Sequence, residues 1–346
     1  SLQPAFTRPV WPRAVIFLCG TILAARQRTV SNVLRTVGFL APGHWSTYHR
    51  LLSHRRCRSW LIGRVVGRFI LTMFCDQKTP VLFAGDDTVT RHPGRRVYGK
   101  GKHRDAVRSS HSYTAFHWGH KWVVLAIVVK LPFSRRPWAL PILISLYRPR
   151  EWNQKHRIKH RTPPEIMQLL LFQALIWFRE YRFIFAGDGG FGTHRLARFA
   201  SRHKDQLIMV SRFHPDANLY ETPGFRRRHA GRPRIRGKRL ASPRQVVRKG
   251  KRKKILWVNW YGGASRKVAV VLATGNWYRA GQGLVPVKWI HVEDLTGTHR
   301  EEYFFTTDTV MSPTQIIETF TGRWSIETTF QECRAHLGVQ TTRGWS

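Results

Sequence analysis

The sequence predicts an α/β fold with a mixed sheet and flanking helices. Apolar runs rich in β-branched and aromatic residues follow one another from residue 80 onward. After residue 162 helical and strand patterns alternate, which is typical of a sheet covered by helices. Hydrophobic residues make up 42% of the 346 positions, which is enough for a sizeable core.

The first 78 residues form the predicted helical region. Between residues 12 and 75, apolar positions recur three and four residues apart and arginines occupy the other faces. Such a region either binds a DNA end or caps the domain that follows. The apolar run at residues 14–25 is too short to span a bilayer. It is either a first buried helix or, with Arg8 and Arg13 ahead of it, a signal peptide.

The remaining elements follow from local patterns. Thr162 is expected to cap a helix that has Pro163 and Pro164 in its first turn. Another helix is expected at residues 194–201, and a last one from Ser312 to about Leu337. The predicted strands cover residues 81–86, 111–118, 122–129, 140–146, 183–188, 207–210, 255–260, 268–273, 285–292 and 303–306.

The charge of the chain indicates a polyanionic partner. There are 59 Lys and Arg against 19 Asp and Glu, a formal net charge of +40. The short apolar runs argue against a membrane, so the expected partner is nucleic acid. Residues 226–254 contain 15 Arg and Lys and no acid, which predicts a mobile or DNA-ordered arm that does not pack as a core element. The candidate DNA-binding residues here are Arg232, Arg234, Lys251 and Arg252.

The motif at 231–234, Gly-Arg-Pro-Arg, resembles short Gly-Arg-Pro cores that lie in A·T minor grooves. Phosphate contact without base reading is the alternative. The four cysteines show no C-x-x-C spacing, which argues against a zinc ribbon or a disulfide framework. This cysteine usage fits a reducing compartment, and we expect a cytoplasmic protein.

The sequence Phe-Ala-Gly-Asp occurs twice, ending at Asp86 and at Asp188, each time after an apolar run. Strand ends at one rim of an α/β sheet are where ligands bind, so two strands in the same register would bring two carboxylates to one point. Close carboxylates repel each other unless a cation lies between them, and Mg²⁺ prefers such oxygen ligands. The alternative is a turn cap, especially for Asp188 before Gly189 and Gly190.

The C-terminal segment has the pattern Phe320-x2-Arg323-x3-Glu327-x6-Arg334. This resembles the Tyr-x2-Arg-x3-Glu-x6-Lys signature in one branch of the DDE transposases of bacterial insertion sequences. The spacing is kept, whereas Phe replaces Tyr and Arg replaces Lys. The contexts Asp86-Asp87-Thr88 and Asp188-Gly189-Gly190-Phe191 also resemble this branch. The resemblance covers residues 80–346.

The resemblance implies a ribonuclease H-like catalytic domain at 79–346, interrupted by the basic arm and a β-rich insertion at about 212–310. Asp86, Asp188 and Glu327 would be catalytic and would hold two Mg²⁺ or Mn²⁺ ions, with Asp87 as the rival of Asp86. A plain ion pair between Arg323 and Glu327 on a solvated helix is the alternative role for those two. The residues expected to hold DNA beside the cut are Phe320, Arg323 and Arg334.

The function implied is a cut-and-paste transposase that binds the terminal inverted repeats of its own element. Its partners would be the double-stranded transposon ends and the target DNA, and it would act as a homodimer at the bacterial nucleoid. Two alternatives stay open. One is a transposase-derived protein that binds DNA without cutting, since relatives continue into a further helical segment after the position of Gly338. The other is a ribonuclease H-like nuclease without strand transfer.

Overall fold

The protein is described by a computed structural model that covers residues 1–25, 27–54, 57–91, 94, 97–104, 109, 112–224, 234–250 and 252–338. These residues form one 11-stranded mixed sheet with helices against it, which confirms the predicted α/β class. The helices are α1 (Trp11–Leu23), α2 (Val30–Val37), α3 (Trp45–Ser53), α4 (Ser59–Phe74), α5 (Arg150–Lys155), α6 (Pro163–Trp177), α7 (His194–Arg202), α8 (Pro243–Arg248), α9 (Pro313–Gly322) and α10 (Ser325–His336).

The sheet has a parallel centre and antiparallel flanks. Its main path is β2-β3-β1-β5-β6-β11-β10-β9-β7, with β4 on β3 and β8 on β9. Strands β1, β5 and β6 are parallel neighbours, and β11 pairs antiparallel with β6. The strands of the predicted insertion therefore extend the central sheet. The strands are β1 (Val81–Arg91), β2 (Gly101–Arg104), β3 (Phe116–Lys130), β4 (Pro137–Tyr147), β5 (Phe183–Gly187), β6 (Leu207–Arg212), β7 (Leu219–Tyr220), β8 (Lys254–Asn259), β9 (Ser265–Arg279), β10 (Gly283–Asp294) and β11 (Glu302–Thr306).

The N-terminal region is helical, as its periodicity predicts. The four buried side chains of α2 recur at helical spacing and face α1 and α3: Val30, Val33, Leu34 and Val37. Helix α4 packs on the sheet instead, because Gly63 lets its backbone come close to β4; a Cβ added there would lie 2.2 Å from the Ile142 carbonyl oxygen. In the described residues no helix is both long and apolar enough to cross a bilayer.

The two faces of the sheet carry different helices because strand side chains alternate. Phe83, Phe183 and Phe185 pack with α6 in the larger core. On the opposite face, α9 contributes Phe320 to a second cluster, and Ile326 of α10 packs against Ala84 in a third. Helix α6 begins as predicted, with a capping box between Thr162 and Glu165.

The predicted single C-terminal helix is wrong, because two helices meet at Arg323 and Trp324. The Ser325 hydroxyl donates to the Gly322 carbonyl at 2.9 Å. The amides of Ile326 and Glu327 then bond three residues back instead of four, at 3.0 Å each. The helix is interrupted here because the serine hydroxyl bonds a helix carbonyl and because the turn is tighter than an α-helical one.

Two other predictions need correction. The strand expected at 111–118 begins at Phe116 and continues without interruption as β3 to Lys130; residue 111 lies outside the described residues. The basic segment was predicted not to pack as a core element, yet α8 lies within it. Ser242 and Gln245 form a capping box there, and the valines 246 and 247 pack against the main core while the cations stay at the surface.

Candidate active site

The two Phe-Ala-Gly-Asp runs lie side by side. Strands β1 and β5 pair in parallel with Gly85 opposite Gly187, and this pairing ends there. Asp86 and Asp188 therefore follow matched positions on neighbouring strands. Asp86 is not at a strand end, as the sequence suggested, because β1 continues to Arg91 along β3. It lies instead directly after the point where the pairing of β5 with β1 ends.

Asp86 is held in a poorly solvated position beside one arginine. Its side chain is 16% exposed, and its Oδ2 lies 3.6 Å from Nη1 of Arg323. Its Oδ1 accepts a bond of 2.8 Å from the Asp87 amide. Burial raises the pKa of Asp86 to about 7; Arg323 lowers it, and the charges of Asp188 and Glu327 raise it. The carboxylates of Asp188 and Glu327 therefore lie close enough to act electrostatically on Asp86, and a cation bound at Asp86 would offset that repulsion.

Asp188 closes the turn that follows β5. Its Oδ1 accepts bonds from the amides of Gly190 at 3.0 Å and Phe191 at 3.3 Å, which is the turn-cap geometry. These bonds use one oxygen and orient the carboxylate, so Oδ2 remains as the oxygen for a ligand. The turn-cap alternative and a ligand role are therefore compatible at this residue.

Ser211, at the end of β6, is a positioning residue that the sequence reasoning missed. It is fully buried, and its hydroxyl donates to the carbonyls of Gly187 at 2.8 Å and Asp188 at 2.9 Å. These bonds fix the backbone from which the Asp188 side chain departs. A serine directly after the apolar run 207–210 was the available signal, because it lies opposite Gly187 on the adjacent parallel strand.

Arg323 and Glu327 form an ion pair at the junction of α9 and α10. Nη2 of Arg323 donates to Oε1 of Glu327 at 3.0 Å. The pair is not on a solvated helix, because the Arg323 side chain is only 7% exposed while Glu327 is 45% exposed. Within the described residues, Nε and Nη1 of Arg323 have no hydrogen-bond partner. A buried guanidinium with unused donors lies next to the Asp86 carboxylate, where an anionic ligand would satisfy it.

Arg334 and Phe320 have different surroundings. Arg334 donates through Nη2 to the Thr88 hydroxyl, two residues beyond Asp86 on β1. Phe320 is completely buried and packs on Phe304, with 4.4 Å between ring centroids. Its predicted contact with DNA is therefore corrected: a ring without exposed surface supports the Arg323 guanidinium, which lies 5.5 Å from its centroid.

The choice between Asp86 and Asp87 follows from the alternation of β1. Asp87 points to the other face, where its Oδ1 lies 2.9 Å from Nζ of Lys121. Two of the four residues predicted on the basic arm fall within the described residues. Arg234 and Arg252 are exposed, and Arg232 and Lys251 lie outside the described residues.

The donor atoms of the site fit a hard divalent cation, since all three acids offer carboxylate oxygens. Their present arrangement is not a closed metal site: among the described residues no three His, Cys, Asp or Glu side chains are grouped closely enough to hold an ion. The Arg323 guanidinium lies between Asp86 and Glu327 instead. Binding of an ion would require Glu327, which is half-exposed, to leave Arg323 and turn toward the aspartates.

Comparisons with known proteins identify the family. The family model described as DDE superfamily endonuclease matches residues 1–267, and the model described as archaeal putative transposase ISC1217 matches residues 239–343. A similar solved structure is the piggyBac transposase synaptic complex with hairpin DNA, at 10% identity and a TM-score of 0.42. The alignment covers 94% of this chain and 58% of that one, so this chain spans less than two thirds of its length. No curated protein sequence matches. Since the first family model matches well over half of the sequence, the chain belongs to the DDE superfamily endonucleases.

Proposed function

We propose that the protein is a cut-and-paste DNA transposase with a ribonuclease H-like core. It cleaves at the terminal inverted repeats of its own mobile element and joins the freed 3′ ends to target DNA. The observation that carries the proposal is the matched register of β1 and β5, because Asp86 and Asp188 directly follow the last paired residues, Gly85 and Gly187. The link from Asp86 through Arg323 to Glu327 supports a third acidic position at the same point.

In this proposal Asp86, Asp188 and Glu327 hold two Mg²⁺ or Mn²⁺ ions. When bound, these ions activate a water or hydroxyl and stabilise the leaving oxygen of a phosphodiester. The chain orients the ligands: Ser211 fixes the backbone of Asp188, and the turn amides hold one of its oxygens. Arg323 neutralises Asp86 and Glu327 until the substrate arrives.

Once DNA binds, Arg323 turns its unused donors to the phosphate next to the cut, and Arg334 holds the adjacent backbone from its position on Thr88. The excess of 40 positive charges provides attraction for both duplexes, the transposon end and the target. Because joining requires two ends in one complex, we propose a homodimer as the active form.

The test uses DNA that carries the element's own flanks, incubated with Mg²⁺ and wild-type protein or Glu327→Gln. We expect cleavage at the tip of the element by the wild type and none by the variant. Asp87→Asn is the matched control, because its carboxylate faces Lys121 and cleavage should persist. Joined strands among the products distinguish a transposase from a nuclease that only cuts. If the wild type and Glu327→Gln bind DNA equally and neither cuts it, the protein is a DNA-binding protein without catalysis.

A further inference from the structure

Two large aromatic side chains stand exposed on the sheet, outside the carboxylate site. Phe116 is 52% exposed and Trp118 is 59% exposed, and both lie at the start of β3. Neither ring belongs to a buried cluster, since the continuous buried stretch of β3 begins further along at Val123. Exposed rings in a regular strand, where their neighbours fix them, are typical of a binding surface.

These rings are on the same face of the sheet as Asp86. Residues directly opposite each other on paired strands share a face, as do alternate residues along a strand. Asp86 is opposite Val124, and Trp118 is three alternations further along β3, opposite Lys102. Six residues of strand separate the two positions, which is roughly 20 Å.

Cations lie against both rings. Nζ of Lys102 is 4.5 Å from the centroid of Phe116, and Nζ of Lys100 is 5.7 Å from that of Trp118. Nζ of Lys100 also donates to the Gly94 carbonyl, whereas the exposed Lys102 presents its charge to a phosphate that follows the same surface. Rings and cations therefore lie together on one exposed surface, a combination that binds a nucleic-acid strand through both bases and backbone.

A cleft of about 730 Å³ opens beside Trp118. Its walls carry further rings: Tyr98 lies 4.7 Å from Trp152, and Trp152 stacks on His156 at 3.8 Å. Arg148 donates to the Tyr98 hydroxyl at 2.8 Å and adds positive charge next to these rings. The volume is within the range of small-ligand sites and admits a nucleobase.

We propose that Phe116, Trp118 and this cleft bind an unpaired stretch of DNA, with bases stacked on the rings and phosphates on the lysines. Ring faces bind unpaired bases selectively. The bases of a duplex are stacked on one another, so a duplex presents only base edges and phosphates. The identity of the strand rests on the proposed function: it is the DNA strand that leaves the cut.

The test measures binding of an oligothymidylate that carries one 2-aminopurine, without metal and at salt high enough to suppress phosphate-only binding. A blunt-ended duplex of two complementary strands serves as the duplex probe. The variants are Trp118→Leu, which removes the ring, and Trp118→Phe, which keeps one. Phe133→Leu is the matched control, since this ring is 85% exposed beyond the other end of β3. Lys102→Gln tests the cationic part with all rings in place.

We expect Trp118→Leu to weaken binding of the single strand roughly tenfold and to abolish quenching of the 2-aminopurine. Trp118→Phe should retain most of both, Lys102→Gln should weaken the single strand less, and Phe133→Leu should match the wild type. Duplex affinity should be unchanged in the Trp118 variants. Equal single-strand binding by wild type and Trp118→Leu would overturn the proposal, as would equal losses for single strand and duplex, which would indicate a duplex surface.

Because no cleavage is needed, failure of this test is independent of the Glu327→Gln experiment. If Trp118→Leu loses single-strand binding but the wild type does not cut DNA, the aromatic binding surface stands and the proposed transposase function is rejected. If the wild type cuts DNA but Trp118→Leu binds single strands as the wild type does, the transposase function stands and the aromatic binding surface is rejected.

Discussion

Asp86 and Asp294 are both buried acids on the central sheet, with side chains 16% and 1% exposed, and their surroundings are opposite. At the end of β10, Asp294 accepts bonds from the Thr296 amide at 2.9 Å and hydroxyl at 2.7 Å, and from Arg266 at 2.7 Å. The Thr298 hydroxyl adds another at 3.0 Å. Burial alone would raise the pKa of Asp294, but these donors hold it far below its ordinary value.

Among the described residues, the Asp86 carboxylate is stabilised only by the Asp87 amide and by the more distant Arg323. Burial therefore prevails and raises its pKa to about 7. The comparison shows that a carboxylate with little exposure keeps a low pKa where several donors surround it, whereas burial raises the pKa where donors are few. Asp294 has its hydrogen bonds supplied by its own loop, whereas Asp86 has few donors and a raised pKa, which a cation bound as in the proposed function would lower.

The largest expected effect is on catalysis. Asp86→Asn should reduce DNA cleavage by about a thousandfold, because it removes a ligand whose loss is worth several kcal/mol of transition-state stabilisation. Asp294→Asn should cleave at the wild-type rate when assayed below its unfolding transition. Single-turnover cleavage of end DNA measures both. A comparable loss of cleavage in the two variants would contradict the different roles assigned to Asp86 and Asp294.

The second effect is on stability as a function of pH, measured by denaturant unfolding in the presence of a chelator. Asp86 has a folded pKa above its unfolded one, so its contribution is fully present below about pH 4 and is lost as the pH rises through about 7. The free energy of unfolding of Asp86→Asn relative to wild type should increase over this range, by at most about 4 kcal/mol. A difference that stays constant with pH would contradict the raised pKa.

Asp294 should behave in the opposite sense. Its folded pKa is lowered, so its contribution is present above the unfolded value near pH 4 and is lost as the pH falls. At neutral pH we expect Asp294→Asn to lose about 2–3 kcal/mol, because the buried donors lose their acceptor and Arg266, which is 22% exposed, is partly rehydrated. Urea unfolding at pH 7 tests this; an unchanged midpoint would show that the network contributes nothing.

The smallest effect is expected at Asp87. Its ion pair with Lys121 is partly exposed, at 28% and 23%, so Asp87→Asn should cost less than about 1 kcal/mol. The same unfolding experiment measures this. A larger loss, or a loss of cleavage, would mean that Asp87 and not Asp86 serves the site.

Local patterns in the sequence predicted the parts of this account that depend on neighbouring residues. The apolar runs and the repeated Phe-Ala-Gly-Asp predicted two adjacent strands, because the same residues demand the same packing in each. The helix start at Thr162 was predicted from the cap residue and the prolines that follow it, and the structure adds a capping box with Glu165. The alternation of β1 predicted that only one of Asp86 and Asp87 can face the site.

Features that depend on distant contacts were not predictable. The burial of Phe320 depends on Phe304 of β11, and periodicity does not say which element covers a helix face. The break before α10 depends on one hydroxyl of Ser325. Helix α8 was not predicted because the many cations around it indicated a segment that does not pack, although its two valines face the core. Ser211 acts through a strand pairing that joins residues 24 apart in the chain.

The most direct test of the central claim, that the β1–β5 register builds a cation site, is Mn²⁺ binding followed by electron paramagnetic resonance at pH 7.5, without DNA. We expect the wild type and Asp294→Asn to bind Mn²⁺ alike, and Asp86→Asn and Asp188→Asn each to lose that binding. Mn²⁺ binding that is unchanged in both single variants of the pair would contradict the account.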